Sequence, residues 1–151
     1  MSEQENIKIV RQFFENFNNH EPDANDVYVA NDARTEAAGA PGVMNKDQSR
    51  MYNHRFLDAF PDLHFDVKDI IAQGEKVAAT WVAKGTHKAP LAGPGGESIP
   101  ATNRSVSTPG CTVVEFRNNL VVRQEIYWDQ VQFLTQLGLI SEQDLVSRNR
   151  R

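Results

Sequence analysis

Arg123, Glu125, Tyr127 and Asp129 alternate along residues 120–129 of this 151-residue chain, a stretch that reads as a strand running into a short helix. Successive strand side chains face opposite ways, so these four share one face, while Val122, Gln124, Ile126 and Trp128 share the other. A phenol flanked by two acids suits acid–base chemistry on a small carbon substrate. Asp129 would be the general acid/base and Tyr127 a hydrogen-bond donor to a substrate carbonyl, provided this face lines a cavity. Asp129 has a second reading. Gln132 follows it by three residues, ahead of Val131, Phe133, Leu134 and Leu137, and Gly138 stands where a helix would close. That is the pattern of an N-capping aspartate. Both roles coexist only if one carboxylate oxygen stays free.

Other candidates are scattered. His87 ends a strand beside a Pro/Gly-rich loop, as a second acid/base group if the loop folds over it and a rim histidine otherwise. Trp81, on the same face as Ala83, Gly85 and His87, is a flat pocket wall or ordinary core. Arg34 and Glu36 are read as alternating on the first strand, so that only one points inward, with Glu36 the substrate-binding candidate. Phe17 and Phe56 belong to apolar stripes at helical spacing that line a pocket or fill a core. His20, His54, His64 and His87 lie far apart without ligand spacing, so no metal site is expected.

The elements that must position these residues follow from pattern. Ser2 and Glu5 open an amphipathic helix over residues 4–18, with Ile7, Val10, Phe13, Phe14 and Phe17 on one face. A short helix is expected at 24–29 and a short strand at 33–36. Asn45 and Gln48 start another helix, with Met51, Tyr52, Phe56, Leu57 and Phe60 apolar, stopped by Pro61. Strands follow at 64–72, 76–87, 104–116 and 120–129. Residues 88–100 hold three of the seven prolines and three of the nine glycines and read as a mobile rim over a pocket mouth. A last helical turn is expected at 141–148. Helices first and a strand meander after predict one α+β domain over 1–140, with a helical turn and basic tail at 141–151. Its sheet is antiparallel and strongly curved into a conical barrel, the last long strand central, the N-terminal helices closing a pocket for a small, largely apolar ligand.

Composition bounds the function. The length fits a single domain, and 40% apolar residues supply a core. A formal net charge of −4 with dispersed basic residues excludes a nucleic-acid footprint. Cys111, the single cysteine, makes no internal disulfide and reads as a small buried residue. The polar, acidic start lacks a secretory signal and no apolar run spans a membrane, so a cytoplasmic location is expected. The face carrying Val122, Gln124, Ile126 and Trp128, if outward, needs covering, which predicts a homodimer.

Phe60-Pro61-Asp62-Leu63-His64-Phe65, Gly85-Thr86-His87, Tyr127-Trp128-Asp129-Gln130 and Gln136-Leu137-Gly138 together resemble the SnoaL-like polyketide cyclase family of the nuclear-transport-factor-2-like superfamily. The resemblance implies a conical α+β fold with a deep pocket, assembled as a homodimer or homotetramer. It also implies ring closure of a polyketide-like carbonyl compound by intramolecular aldol condensation, without metal or bound cofactor. An aspartate near the end of the last long strand, here Asp129, is the implied general acid/base. Related lyase and isomerase chemistry shares the fold, as do binding proteins without turnover. The chain departs from the family pattern in two strands: Cys111 to Phe116 has no histidine, and Arg34-Thr35-Glu36 stands where many relatives carry an Asn or His polar pair.

Overall fold

A computed structural model describes residues 2–93, 96–141, 143, 144 and 146. Helix α1 (Glu3–Asn18) is followed by a 3-10 helix (Pro22–Tyr28), strand β1 (Val29–Ala37) and helix α2 (Lys46–Ala59). Strands β2 (His64–Gln73), β3 (Lys76–Thr86), β4 (Leu91–Ala92), β5 (Ser98–Ile99), β6 (Ser105–Arg117) and β7 (Leu120–Trp128) precede helix α3 (Gln130–Gln136).

Local chemistry sets the boundaries. Ser2 Oγ accepts the Glu5 N–H at 3.1 Å, and Asn45 and Gln48 form a reciprocal capping box at the start of α2. The short helix expected at 24–29 is the 3-10 helix at Pro22–Tyr28, entered through Pro22, whose fixed φ suits a first helical position. Asn118 and Asn119, at φ 51° and 71°, give the tight turn that folds β7 back on β6.

Strands β1, β7, β6, β3 and β2 form a five-stranded sheet in that order. Three of its pairings are antiparallel, and β1–β7 is parallel. The sheet is strongly curved but does not close into a barrel. Its central strand is β6, with β7 between β6 and β1, so the expectation of a central last strand is corrected by one place. Two apolar clusters fill the concave side. One joins Ala59, Phe60, Leu63, Leu91, Val106, Phe133 and Leu137; the other joins Val10, Val77, Ala79, Val114, Phe116 and Val121. Fully burying a side chain of this size is worth about 1.5–3 kcal/mol, so α1, α2 and α3 are held on the sheet mainly by these contacts.

The inner and outer faces of β7 are the reverse of the catalytic expectation. Gln124, Ile126 and Trp128 face the concave side, whereas Arg123 and Tyr127 are exposed on the convex side. A register shift opposite Glu115 and Phe116 also places Val121 inside, fully buried. Gln124, Ile126 and Trp128 of the set that was to demand a partner therefore face this chain's own helices, and that reason for a dimer falls away. Arg34 and Glu36, two residues apart, share the outer face together, while Ala33 and Thr35 are buried inside. Cys111 is half-buried rather than buried.

Residues 88–93 and 96–100 form a paired and anchored hairpin where a rim without secondary structure was expected. Leu91 and Ala92 pair with Ile99 and Ser98, Leu91 is buried in the first cluster, and the Lys88 N–H bonds the Ala59 carbonyl at 2.9 Å. The Gly93 N–H donates to the Glu97 carbonyl at 2.7 Å across the hairpin, Gly96 stands at φ 85°, and Leu91 anchors the hairpin. Of the last predicted turn, Ser141 and Asp144 cap each other; the basic tail Arg148, Arg150 and Arg151 lies outside the described residues. No helix among the described residues is long and apolar enough to cross a membrane.

Candidate functional site

Between α1, α2 and the concave face lies a cavity of about 180 Å³. Its walls are largely aromatic. Phe17 packs edge-on to Phe65 at 4.9 Å, Phe65 likewise to Trp81 at 4.9 Å, and Phe56 meets Trp128 at 5.8 Å. The Trp81 indole lies over Gly110, where a Cβ would come within 2.2 Å of the ring, so β6 makes room for it by having no side chain there. Its Nε1–H donates to Thr112 Oγ1 at 3.0 Å. Trp128 Nε1–H donates to the Tyr52 hydroxyl at 3.1 Å, and Tyr52 donates to the Ala38 carbonyl at 3.0 Å. Burial raises the Tyr52 phenol above its ordinary pKa, and the Trp128 bond offsets part of that rise.

The sequence-predicted residues divide. Trp81, Phe17 and Phe56 line the cavity. Asp129, Tyr127 and Glu36 do not. Asp129 is exposed and caps α3, its Oδ1 accepting the Gln132 N–H at 2.9 Å. Tyr127 is 53% exposed and donates to Glu125 Oε2 at 2.5 Å. Glu36 accepts from Arg123 at 3.0 Å on the same convex face. Glu125 is held below its ordinary carboxylate pKa, first by the Tyr127 bond and then by Arg123, and that same bond raises the Tyr127 phenol. The group is a solvated polar cluster on the outer wall.

His87 is neither a rim group nor a cavity group. It is fully buried, stacked on Phe60 with ring centroids 5.1 Å apart. The Thr102 N–H donates to its Nδ1 at 3.2 Å, which puts the ring proton on Nε2. Burial holds its pKa below the ordinary histidine value, with the Ala89 backbone opposing part of the shift. The short motifs thus meet here for packing. Asp62 accepts the Thr86 N–H at 2.7 Å and its hydroxyl at 2.9 Å, and Gly85 passes close to Phe60 Cβ.

The other end of the cavity is polar and was not anticipated. Lys46, Ser49, Arg50 and Asn53 line it from α2, at i, i+3, i+4 and i+7, with Asp26 from the 3-10 helix and Gln124 from β7. This polar stripe beside the apolar set Tyr52, Phe56 and Phe60 was the available signal, since it marks one helix face as neither core nor open surface. Arg50 pairs with Asp26 and contacts Asp47 at 3.4 Å and Asp23 at 3.9 Å. Its pKa is raised, first by the Asp26 hydrogen bond and charge. Lys46 Nζ donates to the carbonyls of Asp26 and Val29 at 3.1 and 3.0 Å. Among the described residues, no three His, Cys, Asp or Glu side chains cluster as a metal site.

A curved, mostly antiparallel sheet with helices packed over an aromatic cavity is a fold of the nuclear-transport-factor-2-like type. The chain belongs to the SnoaL-like polyketide cyclase family, whose profile matches residues 8–137. Its fold is similar to that of AclR, a candidate hydroxylase from Streptomyces galilaeus, at 20% identity and TM-score 0.81 over 93% of this chain and 100% of that one. A candidate SnoaL-like polyketide cyclase from Jannaschia sp. CCS1 aligns at 17% identity and TM-score 0.79, over 92% and 95%. IdmH, a candidate polyketide cyclase from Streptomyces antibioticus, aligns at 24% identity and TM-score 0.74, over 87% and 96%. No curated protein matches the chain.

Proposed function

We propose that the chain takes a small, mainly apolar, polyketide-like carbonyl compound into the aromatic cavity and closes a ring in it by an intramolecular aldol reaction. The observation that carries this reading is the cavity itself: flat aromatic walls with one carboxylate, Asp26, among the described lining residues. In this chemistry a base removes the proton between two carbonyl groups and the resulting carbanion attacks a third carbonyl of the same molecule. A carbon–carbon bond forms, and the alkoxide takes up a proton. Such a carbon acid needs only a modest base, and confinement of a flexible chain supplies proximity. Asp26 can serve, because its Oδ2 takes Arg50 while Oδ1 has no bond to another described residue. Asp129 caps a helix outside the cavity and is not assigned this role.

A second reading, binding without turnover, is favoured by a specific observation: among the described lining residues Tyr52 is the one titratable group away from the ion-paired end, and its phenol is already spent on Trp128 and Ala38. Turnover of an aromatic polyketone separates the two. Asp26→Asn is expected to lower the rate by about two to four powers of ten, while Asp129→Asn keeps it. Full activity in Asp26→Asn would end the assignment. Binding without turnover by the unaltered protein would favour the second reading.

A further inference from the structure

We propose that the polar end of the cavity seats a single carboxylate, so that the ligand is a monoacid with its anionic end on Lys46 and Arg50. This rests on the cavity as the ligand site and not on turnover. Among the described residues, the charged groups lining the cavity are Lys46, Arg50 and Asp26, two cations against one carboxylate. Lys46 has no carboxylate partner among the described residues: its Nζ donates to the Asp26 and Val29 carbonyls at 3.1 and 3.0 Å. An ammonium has three N–H donors, so one is left over, and two neutral carbonyls do not cancel its charge. Arg50 gives Nη2 to Asp26, while its Nε is buried without a hydrogen-bond partner, Asp23 Oδ1 lying 3.9 Å off.

The other carboxylates near Arg50 belong to the solvent side. Asp23 and Asp47 are not part of the lining, and their side chains are 55% and 83% exposed, so water and salt screen them. Lys46 and Arg50 stand four residues apart on α2, a spacing at which like charges repel, and Ser49 between them adds a hydroxyl to the wall. An unmatched cation beside an apolar wall costs free energy that an arriving anion recovers. One negative charge neutralises this end, and a second would leave it negative. A carboxylate therefore fits better than a phosphate monoester, which carries about −1.5 to −2 at neutral pH. Phe56, Trp81 and Trp128 take the apolar body of the same molecule.

The test is calorimetric titration of the whole chain, near neutral pH, with four probes that share one ring body: 2-naphthoate, its methyl ester, 2-ethylnaphthalene and 2-naphthyl phosphate. Naphthoate is expected to bind about tenfold or more tighter than each of the others, and the margin over the ester to narrow as salt is raised. Lys46→Met keeps an apolar stem and removes the charge. It is expected to erase the margin and leave 2-ethylnaphthalene binding unchanged. Lys46 also ties down the 3-10 helix, so Asp26→Asn supplies an independent arm of opposite sign. Removing the lining carboxylate is expected to tighten naphthoate binding and leave that of the ester unchanged. Equal binding of naphthoate and ester by the unaltered protein would overturn the proposal while leaving the cavity as the ligand site. So would tightest binding of the phosphate, or weaker naphthoate binding in Asp26→Asn. Failure of every probe to bind the unaltered protein would overturn the cavity reading and the proposal with it.

Discussion

The Gln132 backbone N–H donates to Asp129 Oδ1 at 2.9 Å, which fixes the aspartate on the outside of the sheet as the first residue of a helix start. Trp128, its neighbour, points the opposite way into the cavity. One step along the chain thus separates a capping group from a pocket wall.

That relationship predicts an asymmetry between variants. Asp129→Ala should lose about 1 kcal/mol of stability, because the Gln132 N–H loses its acceptor, whereas Asn is also a good N-cap and should be nearly silent. Neither change should alter the affinity of an aromatic polyketone for the cavity by calorimetry. Weakened ligand binding in Asp129→Asn, with unchanged melting, would mean that the carboxylate reaches the cavity after all.

Gly110 has a comparable role on the sheet. A methyl group there would stand 2.2 Å from the Trp81 ring. Gly110→Ala should push the indole off its place and break its bond to Thr112, at a cost of about 1–3 kcal/mol, the usual effect of overpacking. The displaced ring should also shrink the cavity. Denaturation and probe titration on the same sample check both effects; a variant as stable as the parent would show that Trp81 moves freely.

His87 makes stability depend on pH. Burial keeps the folded-state pKa below that of the unfolded chain, about 6.5. As pH falls, the unfolded chain therefore takes up the proton first. The His87 contribution is full above about pH 6.5 and is lost as pH falls toward and through the folded value. Urea denaturation at pH 7.5 and 5.0 should show a larger loss for the parent than for His87→Gln, which cannot titrate. Equal losses would place the pH dependence in other groups.

Tyr52→Phe tests the hydrogen-bonded wall. The change strands the Trp128 indole N–H, now bonded at 3.1 Å, and removes a donor to the Ala38 carbonyl. A loss of about 1–3 kcal/mol is expected, the cost of a buried group left unsatisfied. Spectrophotometric titration of the parent should show Tyr52 ionising above the ordinary tyrosine pKa near about 10, since burial raises it. Early ionisation of every tyrosine would contradict its buried placement.

Outside the β4–β5 hairpin, the main helices and strands and their order were legible in the sequence. Capping at Ser2 and at Asn45 with Gln48, the stop at Pro61, the Asn118-Asn119 turn and the alternation of Val, Thr and aromatic residues are local signals, each acting within a few residues. The short motifs around Phe60, Gly85 and Trp128 were enough to point to the family, whereas for Trp81, Phe17 and Phe56 the apolar faces left pocket wall and core open, and their place in the cavity lining came from the structure.

Only the tertiary structure decided which side of each strand is inside. A period of two separates Tyr127 from Trp128 but does not say which faces the helices, and a register shift opposite Glu115 and Phe116 breaks the period where it was being read. The same choice sends Glu36 outward and Thr35 inward. The polar end of the cavity needed tertiary structure for a different reason. Asp26, Arg50, Asn53 and Gln124 come from a 3-10 helix, a helix and a strand far apart in the chain, and their meeting is a property of how α2 lies across the sheet. His87 became a buried neutral ring because residues 88–100 fold back through Leu91 and Thr102 caps its Nδ1, long-range contacts that no local spacing encodes.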